Sequence, residues 1–402
     1  MTSTLEGGHV LVRFWPLWLS KLMWGMFWAT WGAMVPAVQS RLGLTDAGLG
    51  EQLMMVVVGV LPATFIGGRL WTRLGRWQLP LTLLVYAAGT LWLGHVQSGR
   101  ELGMALLICG VASGMLEVTL ACMIACAQDM TGKKLFSVGQ AIFPLAVVVS
   151  APVVGWMRRE GVEPAYIFDG LAALMLAAAI LTSLSSLRFP TRPRDTAGPA
   201  LGAQLRFSAP LAVLMLMGFF LYVLEHAVNH WSALYLQRDL GADAFLASWG
   251  PSIYMGAACI GRLAVHGMGH RLTDLPVIVF GFAAGAAALL WVGSATAPGV
   301  ALAGYLAAGL LMSPAIPAIY SLSTSIADPR TRMRLLGNLS TVCNIGYVVS
   351  PLAFGSMSSA YGMPFSWRMM SAAAAICLGM LLLAQFSGMF RPRAAAGIIN
   401  DV

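Results

Sequence analysis

The chain has 402 residues, of which 58% are hydrophobic and only 10% are charged. A soluble globular protein carries about 25% charged residues, so this composition excludes a soluble domain and indicates a protein whose solvent is mostly lipid. The net charge of +8 does not indicate nucleic-acid binding, because the basic residues stand in twos and threes between apolar runs and form no basic face.

Long apolar runs predict twelve membrane-spanning helices, since about 20 apolar residues cross a hydrocarbon core of about 30 Å. In chain order the runs are 14–36, 49–68, 79–97, 102–126, 136–157, 166–187, 209–231, 245–265, 275–293, 299–321, 335–357 and 366–388. The first run is too long for a signal peptide and is expected to be a retained span. All six cysteines lie within these runs, which argues against disulfides or a zinc site.

The longest polar stretch divides the chain into two halves. Residues 188–208 contain four Arg and three Pro, and they bring too little apolar surface to fold alone. This stretch predicts a cytoplasmic linker between an N-terminal six-helix bundle at 1–187 and a C-terminal bundle with a short tail at 209–402.

The distribution of cations predicts the orientation in the membrane. With the N-terminus in the cytoplasm, 17 of the 24 Lys and Arg residues fall at inner loops or helix ends, and Lys21 lies within a span. The six outer cations are Arg41, Arg100, Arg158, Arg159, Arg238 and Arg368. By the positive-inside rule both termini are expected in the cytoplasm of a bacterial-type inner membrane, and the number of spans is even.

Three short similarities recur at about half the chain length. The pairs are 68–70 with 261–263, 42–46 with 240–243, and 151–155 with 350–355. Their common order and spacing predict a parallel duplication, that is, an all-α membrane protein with two pseudo-symmetric six-helix bundles. Transporters of this construction rock their halves around a central site.

A motif in the loop between the second and third spans resembles a known family signature. Gly68, Arg73, Gly75 and Arg76 match the pattern Gly-x-x-x-Asp-Arg-x-Gly-Arg of the major facilitator superfamily, with Thr72 where the family usually has Asp. The resemblance implies the major facilitator fold, and it assigns the four matching residues to a cytoplasmic gate.

Glu117 in the fourth span is a candidate proton-coupling residue. Its motif, with Gly110 and Gly114 before it, is similar to that of fucose-permease-like proton symporters, although Ala121 stands where those relatives have Asn. A carboxyl group surrounded by apolar side chains holds a proton more readily than one in water. The alternative is a protonated carboxyl that only bonds a neighbouring helix.

A cation and three indoles share one side of the first span. Lys21, Trp24, Trp28 and Trp31 lie within about 80° of the helix circumference. The first span lines the cavity in the family, so we expect this stripe to bind a solute with negative charge. Snorkelling of Lys21 to the headgroups is the alternative explanation.

The seventh span contains a second intramembrane acid, Glu225, with Asn229 one turn later. Glu225 is a candidate for proton coupling and a possible partner of Lys21. His226 and His230 fit the wet end of the helix, and a metal site with Glu225 would lack further ligands. The other polar groups expected to bind solute are Asn229, Gln140 and Asn344.

The sequence thus predicts a secondary transporter that moves a small polar, anionic organic solute by proton-coupled alternating access. A proton-driven exporter of a metabolite, siderophore or drug is the first alternative. A nucleotide-binding loop is absent from the sequence, and the scattered His and few intramembrane acids do not favour a membrane enzyme. A scaffold of the same fold would not need Glu117 and Glu225 inside the bilayer. The expected partners are solute, protons and lipid, without a cofactor or metal, and the expected state is a monomer.

Overall fold

The computed structural model describes residues 12–132, 135–185, 209–268, 272–326 and 332–390, and these ranges are almost entirely helical. The twelve long helices are α1 (Trp15–Leu42), α2 (Asp46–Leu74), α3 (Gln78–His95), α4 (Gly99–Thr131), α5 (Leu135–Arg159), α6 (Pro164–Leu184), α7 (Ala209–Arg238), α8 (Ala244–Met268), α9 (Asp274–Gly293), α10 (Pro298–Met312 and Ala315–Ile326), α11 (Arg332–Tyr361) and α12 (Met363–Phe386). The predicted all-α architecture is confirmed.

Nine helices of the described ranges are long and apolar enough to cross a membrane. The three others, α1, α3 and α8, pack in the same bundles. In α1 most residues are buried against other helices, Lys21 and Gln39 among them. A helix with such a protein-facing surface tolerates polar residues that a lipid-facing helix excludes.

The two halves repeat one packing arrangement. In the first half α1 packs on α5, α2 on α4 and α3 on α6; in the second half α7 packs on α11, α8 on α10 and α9 on α12. Adding six to each helix number converts the first set into the second. This is the pseudo-symmetry that the recurring sequences predict.

Glycines allow the closest of these helix contacts. A Cβ atom on Gly110 of α4 would collide with the carbonyl of Val56 on α2, and one on Gly261 of α8 would collide with the carbonyl of Leu310 on α10. Small residues let membrane helices approach until their backbones touch. The same device therefore holds α2 to α4 and α8 to α10.

Helix boundaries differ from the predicted spans mainly in length. The first helix continues to Leu42, where Gly43 adopts a positive φ of 61° that favours glycine and ends the helix. The tenth span is interrupted by a turn at Ser313 and Pro314. Hydropathy marks the segment inside the lipid, whereas the helices extend beyond it. The predicted linker at 188–208 lies outside the described residues.

The halves meet along α1 and α7, α2 and α11, and α5 and α8. Because the number of helices is even, α1 begins and α12 ends at the same end of the molecule, which we name the terminal end. We name the opposite end the far end. The recurring segments 151–155 and 350–355 lie on the interface, where Gly155 approaches Ser248 and Pro351 approaches Gly50. Contacts between the halves thus run from the far end toward the middle.

Candidate functional site

A cavity of about 170 Å³ lies in the N-terminal half, between the middle of the molecule and the terminal end. Helices α1, α4 and α5 supply its lining, which is apolar except for one cation, one acid and one indole. The lining residues are Lys21, Trp24, Glu117, Leu120, Ala121, Ile124, Gly139 and Phe143. A cavity with an apolar wall and a few convergent polar groups is the usual form of a small-molecule site.

Lys21 is buried inside the protein. Its side chain is 8% exposed, and its Nζ lies 4.3 Å from the centre of the Trp24 ring. The Trp24 indole is fixed by a 2.6 Å hydrogen bond that Nε1 donates to Ser113 Oγ and by contact with the Phe143 ring at 4.9 Å. The ammonium group is thus positioned by a rigid aromatic neighbour.

Glu117 faces Lys21 across the cavity. It is open to the cavity and is the acid that attracts the Lys21 ammonium. In the described structure the two charged groups form no direct ion pair. The wall of this cavity therefore brings a cation and a proton acceptor together among apolar side chains.

The three indoles of α1 have different surroundings. Trp24 lines the cavity, whereas Trp28 contacts the Phe27 ring at 5.2 Å and, across the boundary between the halves, His230 at 5.9 Å. Trp31 is fully buried in the core. The predicted stripe therefore divides into a cavity residue, a residue between the halves and a core residue.

Glu225 forms its ion pair with Arg262 of α8, and the expected pairing of Glu225 with Lys21 is wrong for this structure. Arg262 Nη2 donates to Oε1 at 3.1 Å and to Oε2 at 3.3 Å. Asn229 Nδ2 donates to the Glu225 carbonyl at 3.0 Å, which is a contact within α7. In the sequence Arg262 is only one of the cations that predict the orientation, because nothing there shows which helix faces Glu225.

A series of aromatic rings connects this ion pair to the N-terminal half. The His230 ring lies 4.1 Å from the His226 ring, which lies 4.7 Å from the ring of Tyr347 on α11. Tyr347 in turn contacts the ring of Tyr222 at 4.8 Å. Together with Trp28 these rings form the aromatic ladder. Nothing in the sequence marks Tyr347 or Tyr222 as functional, since single tyrosines in a span carry no motif.

At the far end, Asp46 is the centre of a second polar cluster. Arg238 of α7 donates to both of its oxygens, from Nη1 at 2.6 Å and from Nη2 at 2.9 Å. Gln39 Nε2 donates to it at 2.6 Å, and the hydroxyl of Ser358 donates as well. We name Gln39, Asp46, Arg238 and Ser358 the far-end lock, because two of these residues come from each half.

The remaining candidates are not part of this cavity wall. Asn344 is half-buried on α11. The Gln140 side chain lies outside the described residues. Of the predicted gate, the side chain of Arg73 is exposed, Gly75 has a φ of 51° in the turn before α3, and Arg76 lies over the Trp77 ring at 4.9 Å. The surroundings of Gly68 lie outside the described part of the chain.

Comparison with known proteins identifies the family. The model of the Major Facilitator Superfamily matches residues 17–312 and 214–397. Among curated proteins, an uncharacterised MFS-type transporter of Yersinia pestis is 24% identical over 351 residues, which cover 84% of this chain and 88% of the relative. The 3-(3-hydroxy-phenyl)propionate transporter of Escherichia coli is 23% identical over 364 residues, with 89% of each chain covered.

Solved structures show the same fold at low identity. A D-xylose–proton symporter superimposes with a TM-score of 0.74 at 17% identity and covers 96% of this chain and 98% of its own. A nucleoside transporter superimposes with a TM-score of 0.75 at 13% identity and covers 94% of this chain and 99% of its own. The chain belongs to the major facilitator superfamily and is a multi-pass membrane transporter, not an enzyme.

Proposed function

We propose that the protein is a proton-coupled secondary transporter of a small organic anion. The observation that carries this proposal is the position of Lys21, whose ammonium group faces Glu117 across the cavity. A lysine inside a membrane protein is costly and marks a ligand path unless its charge is compensated. A solute carboxylate supplies that compensation.

The same pair links binding to protons. Lys21 and Glu117 attract each other, and a solute carboxylate competes with Glu117 for the ammonium group. Two carboxylates beside one cation leave an uncompensated negative charge in surroundings of low dielectric constant. Glu117 therefore takes up a proton when the solute binds and releases it when the solute leaves. Glu225 is proposed as a second proton-coupling carboxyl group.

Alternating access is supported by the far-end lock. The halves are held together at the end away from the termini, while the cavity lies on the side of the terminal end. With both termini in the cytoplasm of the inner membrane, as the cation distribution predicts, this is an inward-facing state. Separation of Asp46 from Arg238 is then required for the cavity to open outward.

Two comparisons favour this substrate and coupling. The Escherichia coli relative is named as a transporter of an aromatic organic acid, and one structural neighbour is titled a proton symporter. The span-4 motif similar to fucose-permease-like symporters points in the same direction. Proton-driven export of a metabolite, siderophore or drug uses the same residues in the reverse direction and is the alternative.

The test combines binding with transport. Purified protein is screened by thermal shift with organic carboxylates and their neutral amides, and the best carboxylate is followed in proteoliposomes under an imposed pH gradient. We expect stabilisation by carboxylates only, accumulation that a protonophore abolishes, and loss of both in Lys21→Met. Equal stabilisation by the amides, or accumulation without a pH gradient, contradicts the proposal.

A further inference from the structure

We propose that Arg262 is a second anion receptor of the transport site, and that the solute has two acidic groups, one bound by Lys21 and one by Arg262. This inference rests on the proposed function, because it extends the site that contains Lys21. In this structure the carboxylate of Glu225 occupies the receptor, and an acidic group of the solute takes its place.

The guanidinium group of Arg262 does not bind Glu225 through two parallel N–H groups. Only Nη2 donates to Glu225, to both oxygens, and Nε has no hydrogen-bond partner among the described residues. The Arg262 side chain is 37% exposed, whereas that of Glu225 is 7% exposed. Arginine binds a carboxylate best through two parallel N–H groups. Arg262 therefore retains the donors that an incoming carboxylate needs.

The pair has no evident advantage for stability. Charges inside a membrane protein are costly, and a buried ion pair is often no more stable than apolar side chains of the same volume. A pair kept for stability would use the guanidinium fork fully. Attachment through a single nitrogen suits an anion that is exchanged during the transport cycle.

Tyr347 connects this receptor to the Lys21 cavity. Its phenol lies near the charged groups of Glu225 and Arg262 and also near Glu117 of the other half. The aromatic ladder runs from the Tyr347 ring to Trp28, one helical turn from Trp24. Each half thus contributes one cation and one acid, and Tyr347 lies near the acids of both halves.

Further unpartnered polar atoms lie in the C-terminal half, which contains the second receptor. Within the described residues, neither the hydroxyl of Tyr254 nor Nδ1 of His230 has a hydrogen-bond partner, although both are buried. Tyr254 lies near Glu225 and Arg262. Buried polar atoms without partners are uncommon and mark places where a ligand or water completes the bonding. The hydroxyl of Tyr254 therefore adds a donor for the second acidic group.

The experiment compares matched acids that differ by one carboxylate. Binding of 1,4-phenylenediacetate and phenylacetate, and of adipate and hexanoate, is measured by calorimetry on the purified full-length protein. We expect at least one dicarboxylate to bind about tenfold or more tightly than its monocarboxylate partner. Arg262→Gln should reduce that ratio to about one, and Glu225→Gln should increase it, because the competing carboxylate is gone.

Two further variants keep the result interpretable. The double variant Glu225→Gln/Arg262→Gln leaves no unpaired charge at this pair and should lose the dicarboxylate preference even if a single variant folds poorly. Arg100→Gln, which removes an exposed arginine at the start of α4, should retain the preference. A dicarboxylate preference that survives in the double variant, or no preference in either pair of acids, overturns the inference.

Failure of the inference differs from failure of the proposed function. If monocarboxylates bind through Lys21 but no dicarboxylate preference exists, only the role of Arg262 is wrong. If Lys21→Met leaves the binding of all four acids unchanged, the proposed function fails as well.

Discussion

Arg238 at the end of α7 donates two hydrogen bonds to Asp46 at the start of α2, and this contact joins the two halves of the transporter at the far end. The residues are 192 positions apart in the chain. Asp46 is buried, whereas Arg238 is 43% exposed. In the proposed alternating-access mechanism, outward opening of the cavity requires this contact to break.

Asp46→Asn should therefore shift the protein toward an outward-open state. The change removes the charge from a paired, partly buried contact, at a cost of about 2 kcal/mol, which is about thirtyfold in the equilibrium between the two states. Spin labels at the exposed positions Gln97 and Thr296, one on each half at the far end, should show longer distances.

The matched control is the second ion pair between the halves. Arg159 lies 3.6 Å from Asp243, and both side chains are about half exposed, at 57% and 49%. An exposed pair of this kind contributes about 0–1 kcal/mol, so Arg159→Gln should leave the label distances nearly unchanged. Equal effects of the two substitutions on the label distances would show that the far-end lock has no special role in holding the halves together.

The orientation can be checked with fusions. The cation distribution and the even number of helices predict that a reporter after Val402, or one inserted at 188–208, reports the cytoplasm. Reporter activity characteristic of the periplasm at either position would reverse the orientation, and the state described here would then be outward-facing.

Close helix contact at Gly110 should be essential for folding. Gly110→Val places branched carbons against the Val56 carbonyl on α2, so α2 and α4 must separate. We expect the thermal midpoint of the purified protein to fall by several degrees or the protein not to accumulate, at a cost of about 1–3 kcal/mol for overpacking.

Gly170 provides the control for this change. It lies within α6, and a Cβ atom at this position meets nothing within 4 Å. Gly170→Val changes the same residue type in a membrane helix without a steric conflict and should keep the wild-type midpoint. A similar loss in both variants would attribute the effect to helix propensity and not to packing.

The sequence predicts the helices and their duplication because both depend on local hydropathy and on spacing along the chain. It also selects Lys21, Glu117 and Glu225, because a charge within an apolar run is costly wherever it lies. Partners depend on rotation of one helix against another, which hydropathy does not encode. Glu225 for this reason pairs with Arg262 and not with Lys21.

The indoles of α1 show the same limit within a single helix. Trp24, Trp28 and Trp31 share a side, and sequence periodicity predicts one wall. In the structure α1 contacts α5 and α7 on neighbouring surfaces, so these three residues reach a cavity, the other half and the core. Periodicity identifies a face, whereas the neighbours decide what each residue on that face does.

Glu117→Gln should separate solute exchange from proton-driven accumulation. The amide has the size of the protonated acid and cannot release a proton, so the carrier should still move its solute across the membrane in both directions while net movement loses its coupling to the pH gradient. In proteoliposomes we expect counterflow of the carboxylate found in the thermal-shift screen at a rate similar to wild type, and accumulation under an imposed pH gradient reduced at least about tenfold.

Glu160→Gln, in the exposed far-end loop between α5 and α6, changes the same group where no coupling is proposed and should accumulate solute as wild type does. Accumulation by Glu117→Gln at the wild-type level would mean that the carboxyl group of Glu117 has a structural role and that the protons move elsewhere. Loss of counterflow together with accumulation would assign Glu117 to solute binding beside Lys21 and leave Glu225 as the coupling acid.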